Sequence, residues 1–440
     1  MAQTGLVVRE GRASHPYSSE IDPAVWWRAL QEAIGEAGGI EDVSAWAISA
    51  QQHGMVALDA QGEVIRPALL WNDTRSASSA IDLITEFGAE QLSTRTGCVP
   101  VASFTVTKLR WLRDHEPENA RRVHAVALPH DWLTWRLRGF GPSSPRGVDF
   151  DELITDRSDA SGTGYWSDAG YDTEIFVSAL GHDAHRPRVL PADASVFDSD
   201  GRQVGVGAGD YAGAALGLGL LVGDVAVSIG TSGTVFAVSD LPVHDSSGTV
   251  AGFADATGHF LPLTATLNAA KVPDAFATLL GVSAAELATL ALTAEPGAGG
   301  LRLLPYFEGE RTPNLPDATG VLTGMTLSSL TRENVARAAV EGMLGGLDYG
   351  VRAITSHGVP ARRVVLIGGG SKSPAVQQIA SASFGLPVEI PPSLEYVAWG
   401  AARQAAHTLG SDLAPAVQAH DDGAQRMSPE LLIEVPQVAG

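Results

Sequence analysis

The run Val204 to Val238, VGVGAGDYAGAALGLGLLVGDVAVSIGTSGTVFAV, constrains this chain more than any other stretch. It opens on a glycine-flanked aspartate, Gly209-Asp210, followed by an apolar run of alanine and glycine. It ends on two β-like segments joined by Gly230-Thr231-Ser232-Gly233. A carboxylate held on a tight turn is a candidate general base. A small-residue turn can aim backbone N–H groups and two hydroxyls at phosphate oxygens. The two features lie about twenty residues apart near the middle of a 440-residue chain. That placement is expected where a cleft lies between two halves.

The length predicts two domains, since single cores rarely grow beyond roughly 250–300 residues. A net charge of −21 leaves no basic patch for nucleic acid or an anionic membrane surface. One cysteine, Cys98, excludes an internal disulfide and any cysteine-rich metal site. The first residues carry no apolar signal core, and the apolar run around Ala212–Val222 is too short and glycine-rich to span a bilayer. These features predict a cytoplasmic protein.

Along the chain, Leu6–Arg9 reads as a short strand, and Asp22-Pro23 as a helix start with Asp as N-cap. Trp26, Leu30 and Ile34 share one face, and Gly38-Gly39 stops the helix. Val43–Ser49 and Met55–Leu58 read as strands, and Pro67–Leu70 as extended chain. Helical spacing runs from Thr74 to about Trp135. Thr331 to about His357 reads as one long amphipathic helix ended by Gly358 and Pro360. Strand Val364–Ile367, the glycines 368–370, a helix to Phe384, strand Val388–Ile390 and helix Glu395–Leu409 give an α/β pattern. The residues after about Asp412 are poorly specified.

Each candidate site residue has a plain alternative. Asp210 is a base, or a turn aspartate bonding its own backbone. Gly230–Gly233 is a phosphate loop, or a hairpin turn; no Walker A motif is present. Gly368-Gly369-Gly370-Ser371 sits where α/β sheets bind nucleotides, or serves close strand–helix packing. Gln52 and His53, at a strand end, suit sugar hydroxyls, or are structural. Trp71 is expected to be packing. His182 and His185 lack a third ligand type nearby, so no metal site is assigned. Glu310 and Arg311 are expected to pair in a charged turn.

Taken together, these stretches resemble the FGGY carbohydrate kinases, from about Pro23 to Leu409. The matching pieces are Gln52–Met55, Arg66–Asp73, Leu128–Asp131, Ser158–Thr163, Gly207–Gly217, Val227–Gly233, Leu304–Pro313 and Leu366–Ser371. Their order and spacing carry the resemblance, and the Trp71-Asn72-Asp73 and Glu310–Pro313 runs favour members acting on D-xylulose. The resemblance implies an α/β fold of two actin-like, or ribonuclease-H-like, domains with an interdomain cleft. Residues 1–222 would bind the sugar and carry the base, and residues 223–440 would bind ATP. The implied reaction is phosphorylation of D-xylulose by ATP to D-xylulose 5-phosphate. Asp210 would deprotonate the 5-hydroxyl, with Gln52, His53 and Tyr211 at the sugar. Gly230, Thr231, Ser232 and Gly233 would hold phosphates, and Gly368, Gly369, Gly370 and Ser371 the adenosine side. Mg²⁺ would shield the phosphates, and a homodimer is the implied assembly.

Three departures qualify that expectation. The family opens on a strand and an Asp-x-Gly-Thr turn serving metal and ATP phosphates. The sequence begins within what reads as the second strand, so that first strand is expected to be missing from it. Tyr211 stands where an asparagine usually follows the base. The Arg186–Gly207 interval is short for the family. The alternatives left open are a kinase for another ketose or polyol, and a catalytically impaired sugar- or nucleotide-binding protein.

Overall fold

The computed structural model describes residues 7–410 and 425–427. It divides into two compact units. The first comprises Met1–Gly219, Pro242–Leu261 and Glu395–Val417; the second comprises Leu220–Leu241, Pro262–Leu394 and Gln418–Gly440.

In the first unit, short strands and helices surround a core that includes Trp26, Val56, Leu58, Trp132 and Trp135. The helix Pro23–Glu36 starts as expected: the Asp22 carboxylate accepts the Ala24 N–H at 2.9 Å, and Pro23 occupies the first turn. Val43–Ser49 divides into two strands, Ala45–Trp46 and Ser49–Ala50. The first pairs in parallel with Gln203–Gly205. The second pairs in parallel with Ala208–Gly209, placing Ala50 opposite Gly209. The strand Ala125–Ala127, antiparallel to Val56–Leu58, interrupts the region expected to be helical throughout. Three apolar residues cannot show a strand's period, and their burial comes from the partner strand.

The expected strand at Leu6–Arg9 is not found. Leu6 lies outside the described residues, and Val7 to Arg9 are in no strand. Val7 and Val8 are exposed, so no core or ladder draws them into extended pairing. The first described strand is Glu20–Ile21, antiparallel to Ala68–Leu69. The last residues after Asp412 lie largely outside the described part.

The Ala/Gly run after Asp210 is the helix Asp210–Leu218. Its small residues permit a tight crossing with the helix Tyr396–Thr408. A β-carbon on Gly400 would stand 1.9 Å from the Gly213 carbonyl oxygen, and one on Gly217 would stand 2.0 Å from that of Tyr396. Gln404, from the same helix, accepts the Gly207 N–H and donates to the Gly207 carbonyl, both at 2.8 Å. This fixes the strand that leads into Asp210.

The second unit is built on a sheet in which Phe260–Thr266, Gly233–Ala237, Asp224–Ile229, Arg363–Ile367, Val388–Ile390 and Gln425–Met427 follow one another. Asp224–Ile229 forms an antiparallel hairpin with Gly233–Ala237 and runs parallel to Arg363–Ile367, with Ser228 opposite Ile367. The helix Arg332–Thr355 has Thr331 as N-cap, accepting the Asn334 N–H at 3.2 Å. It lies close over the sheet at Gly350, where a β-carbon would stand 2.5 Å from Thr264 Oγ1. No single helix among the described residues is long and apolar enough to cross a membrane.

Candidate active site

The register of Ser49–Ala50 against Ala208–Gly209 decides what meets in the first unit. Because the strands run parallel, the residues just past them emerge side by side. Gln52-His53 follows one strand and Asp210 the other. Asp210 begins its helix, where the positive end of the helix dipole favours a carboxylate. It is half-buried, and its Oδ1 accepts the Tyr211 N–H at 3.0 Å. Burial pushes its pKa up to about 6, against the backbone N–H groups of Tyr211, Asp210 and Gln52, which stabilise the anion. A carboxylate poised there can take a proton near neutral pH. Tyr211 sits beside it on the helix, also half-buried.

Gln52 is buried and lies over Gly209. Its Nε2 donates to the Ser158 carbonyl at 2.9 Å, which fixes the amide's orientation. Its Oε1 is buried with no hydrogen-bond partner in the protein. A buried carbonyl oxygen without a donor costs about 1–3 kcal/mol unless something else supplies one. A ligand hydroxyl would do so.

His53 has a φ of 67°, in the left-handed region that non-glycine residues seldom enter. Such a conformation costs on the order of 1–3 kcal/mol and persists where its surroundings enforce it. Its Nδ1 lies 2.6 Å from the Gly162 carbonyl oxygen, which can only accept, so Nδ1 carries the proton. In the neutral ring Nε2 is then the acceptor nitrogen. Phe104 and Phe253 flank the ring at centroid distances of 4.9 and 5.7 Å.

Behind these residues lies a buried group that sequence reasoning did not identify as a unit. His130 Nε2 stands 3.2 Å from Asp131 Oδ1, 3.4 Å from Asp156 Oδ1 and 3.2 Å from Asp159 Oδ2. Burial disfavours the imidazolium, but the three carboxylates outweigh it and raise His130 to about 9. Burial raises Asp131 to about 6, opposed by His130, and pushes Asp159 well above the carboxylate range. Neither Asp159 oxygen completes a hydrogen bond within the protein. The Ser158 Oγ, one residue away, accepts the Gly209 N–H at 3.0 Å and so ties this segment to the base. The available signals were the Leu128–Asp131 and Ser158–Thr163 motifs, but nothing in either points to the other.

His130, Asp131 and Asp159 are the one set of three or more such residues, among those described, that could hold a metal ion. They do not fit a magnesium ion bridging nucleotide phosphates. That ion takes oxygen donors and keeps several waters, whereas this group is closed to solvent and centred on an imidazole nitrogen.

In the second unit, the two glycine loops leave the same end of neighbouring parallel strands. In the first loop the Gly230 N–H is taken by the Ser232 carbonyl at 3.0 Å. Thr231 and Ser232 are exposed and carry the outward-facing groups. In the second loop Gly368 has a φ of 89°, and a β-carbon there would stand 2.6 Å from the Ile229 carbonyl oxygen. Gly369 is exposed, while Ser371 is buried with its Oγ donating to the Gly368 carbonyl at 2.7 Å.

Two smaller expectations change, for Trp71 and for Glu310 with Arg311. Trp71 is 40% exposed and borders a cavity of about 460 Å³ with Tyr17, Trp26, Gln51 and Pro129, so it is not core packing. Glu310 is buried and accepts from the Leu267 N–H and Asn268 Nδ2 at 2.6 and 2.9 Å. Its contact with Arg311 is through that residue's backbone N–H, because the fixed turn aims the carboxylate inward. His182 Nε2 lies 2.9 Å from the Val123 carbonyl oxygen, while His185 packs on Phe150, so the two imidazoles serve structure.

Comparison with known proteins bears on this arrangement. Residues 8–197 match the N-terminal domain of the FGGY family of carbohydrate kinases, and residues 225–409 match its C-terminal domain. A xylulose kinase of Streptomyces coelicolor is 45% identical over 436 residues, covering 94% of this chain and 86% of that protein. One from Escherichia coli is 35% identical over 383 residues, covering 82% and 75%. The crystal structure of xylulose kinase from Bifidobacterium adolescentis matches with a TM-score of 0.91 and 43% identity, covering 98% of this chain and 94% of that one. The chain belongs to the FGGY family of carbohydrate kinases.

Proposed function

We propose that this chain transfers the γ-phosphoryl group of ATP to D-xylulose, giving D-xylulose 5-phosphate and ADP. The observation that carries the reading is the strand register that delivers Gln52, His53 and Asp210 to one place in the first unit, in a chain related to xylulose kinases over most of its length. Asp210 takes the proton of the sugar 5-hydroxyl. The oxygen then bonds to the γ-phosphorus as the bond from that phosphorus to the β–γ bridging oxygen breaks, and ADP leaves. In such transfers catalysis is mostly positioning and charge stabilisation.

The orphaned Gln52 Oε1 suits a sugar hydroxyl donor, and in this reading the His53 imidazole stands beside it at the sugar. In the same reading Tyr211, next to the base, borders the sugar. In this reading residues 1–222 carry the sugar and base and residues 223–440 carry ATP. Gly230–Gly233 face its phosphates and Gly368–Ser371 its adenosine side. Mg²⁺ enters with the nucleotide and neutralises phosphate charge; no described residue is assigned to it. The same reading places the enzyme in the cytoplasm as a homodimer, which gel filtration would check.

The test is ADP release measured by a coupled assay on a panel of ketoses and polyols. D-Xylulose is expected to give the highest kcat/KM. A tenfold better substrate, or no turnover of any sugar, would overturn the reading.

A further inference from the structure

The left-handed backbone of His53 has a support that the proposed reaction does not use. Lys108, on the helix Thr105–His115, is fully buried. Its Nζ donates to the His53 carbonyl at 2.7 Å and to the Ser103 carbonyl at 2.5 Å. Thr105 Oγ1 donates to the same His53 carbonyl at 3.2 Å. Both donors come from the first turn of one helix, whose Phe104 N-cap also carries a ring that packs on the imidazole. A fully buried lysine is rare unless paired. Its neighbours in hydrogen-bond range are carbonyl oxygens, with the charge of Asp73 further off. Burial holds the amine well below the usual lysine range, opposed by the charge of Asp73.

We propose that Lys108 is a positioning residue for sugar recognition. By holding the His53 carbonyl it fixes the backbone at the angle that brings Nδ1 to Gly162 and so sets where the imidazole stands for the sugar. The side chain of Lys108 ends on backbone oxygens, so its effect on the sugar passes through His53. A lysine at this spot therefore sets sugar affinity without touching the sugar. The inference rests on the reading that His53 faces the sugar, and its test separates the two.

The experiment is a double-mutant cycle on the full chain, with D-xylulose affinity measured by calorimetry without nucleotide. Lys108→Met keeps the length and removes the donor. It is expected to weaken sugar binding about tenfold or more, to leave the KM for ATP unchanged, and to lower kcat less than it raises the sugar KM. His53→Ala is expected to weaken binding at least as much. The double variant is expected to bind within about twofold of His53→Ala, because without the imidazole there is nothing left for Lys108 to orient.

Independent, additive losses would overturn the inference while leaving His53 at the sugar. Lys108→Met binding like the parent would also overturn it. If His53→Ala binds like the parent, the sugar-facing reading of His53 fails, and the inference fails with it. Should Lys108→Met not fold by circular dichroism, Lys108→Gln, which retains an amide donor, enters the same cycle. A partial loss that vanishes in the His53→Ala background supports the proposal, and a loss that persists there refutes it.

Discussion

Gln52 lies against Gly209 so closely that a β-carbon at that glycine would stand 2.6 Å from Gln52 Cγ and 2.7 Å from Nε2. The glycine before Asp210 is therefore set by the amide that crosses it, not by its own φ of −63°. Gly209→Ala must push Gln52 off the Ser158 carbonyl or move the start of the Asp210 helix. Overpacking of this kind costs about 1–3 kcal/mol. The expected outcome is a fall in kcat/KM for D-xylulose of about a hundredfold, larger than the loss in unfolding free energy alone would produce. Steady-state kinetics beside urea denaturation of the same variant separates the two.

Asp210→Asn removes the proposed base while keeping shape. General-base catalysis contributes roughly 10²–10⁴-fold, so kcat should fall by that amount with sugar affinity nearly retained. In the parent, burial has raised Asp210 to about 6. The carboxylate must be ionised to accept a proton, so kcat/KM should climb as pH rises through about 6 and level off above it. A pH profile with no acid limb near 6 would remove Asp210 from the role.

Much of this was legible in the sequence. Asp22-Pro23 marks a helix start through local chemistry alone, and Thr331 and Gly358 bracket the long helix in the same way. The two glycine loops were legible because a β-branched strand precedes each. The Ala/Gly run after Asp210 was harder to interpret. Its glycines look like turn residues, yet Gly213 and Gly217 answer to a helix that begins at Tyr396. Ala125–Ala127 is too short to show a period, and its strand character comes from Val56–Leu58. The His130 group was invisible for the same reason. His130 and Asp131 lie in one motif, Asp159 in another, and Asp156 just before the second, and no local pattern says that three aspartates share one imidazole.

That shared imidazole gives a stability prediction. His130 sits at about 9 in the folded protein against 6.5 ordinarily. A raised base contributes stability that is fully present below pH 6.5 and is lost as pH rises through about 9. The unfolding free energy of the parent should therefore decline between those values. His130→Ala leaves the carboxylates without a cation, and breaking a buried pair this way costs about 3–5 kcal/mol. It should also flatten the decline above pH 6.5. Asp159→Asn should cost far less, since burial already pushes that carboxyl well above the usual carboxylate range and so disfavours its charge. Equal losses for His130→Ala and Asp159→Asn in urea titrations at pH 7 would contradict the charge assignment.

The second unit carries the last prediction. Gly368 combines a φ of 89° with a β-carbon position 2.6 Å from the Ile229 carbonyl oxygen, at the end of the strand that leads into the Gly230 loop. Gly370 is equally tight, with its β-carbon position 2.3 Å from Ile229 Cγ2. An alanine at either position must part the two strand ends from which both loops emerge. If those loops hold the nucleotide, each substitution should raise the KM for ATP by about tenfold or more, equivalent to about 1.4 kcal/mol. The affinity for D-xylulose measured without ATP should stay within about twofold of the parent, because Gln52, His53 and Asp210 belong to the other unit. Gly369→Ala is the internal control. Its β-carbon would meet nothing within 4 Å, so any loss there would reflect contact with the nucleotide itself and not a shifted strand. Unchanged ATP kinetics in all three variants would place the nucleotide elsewhere.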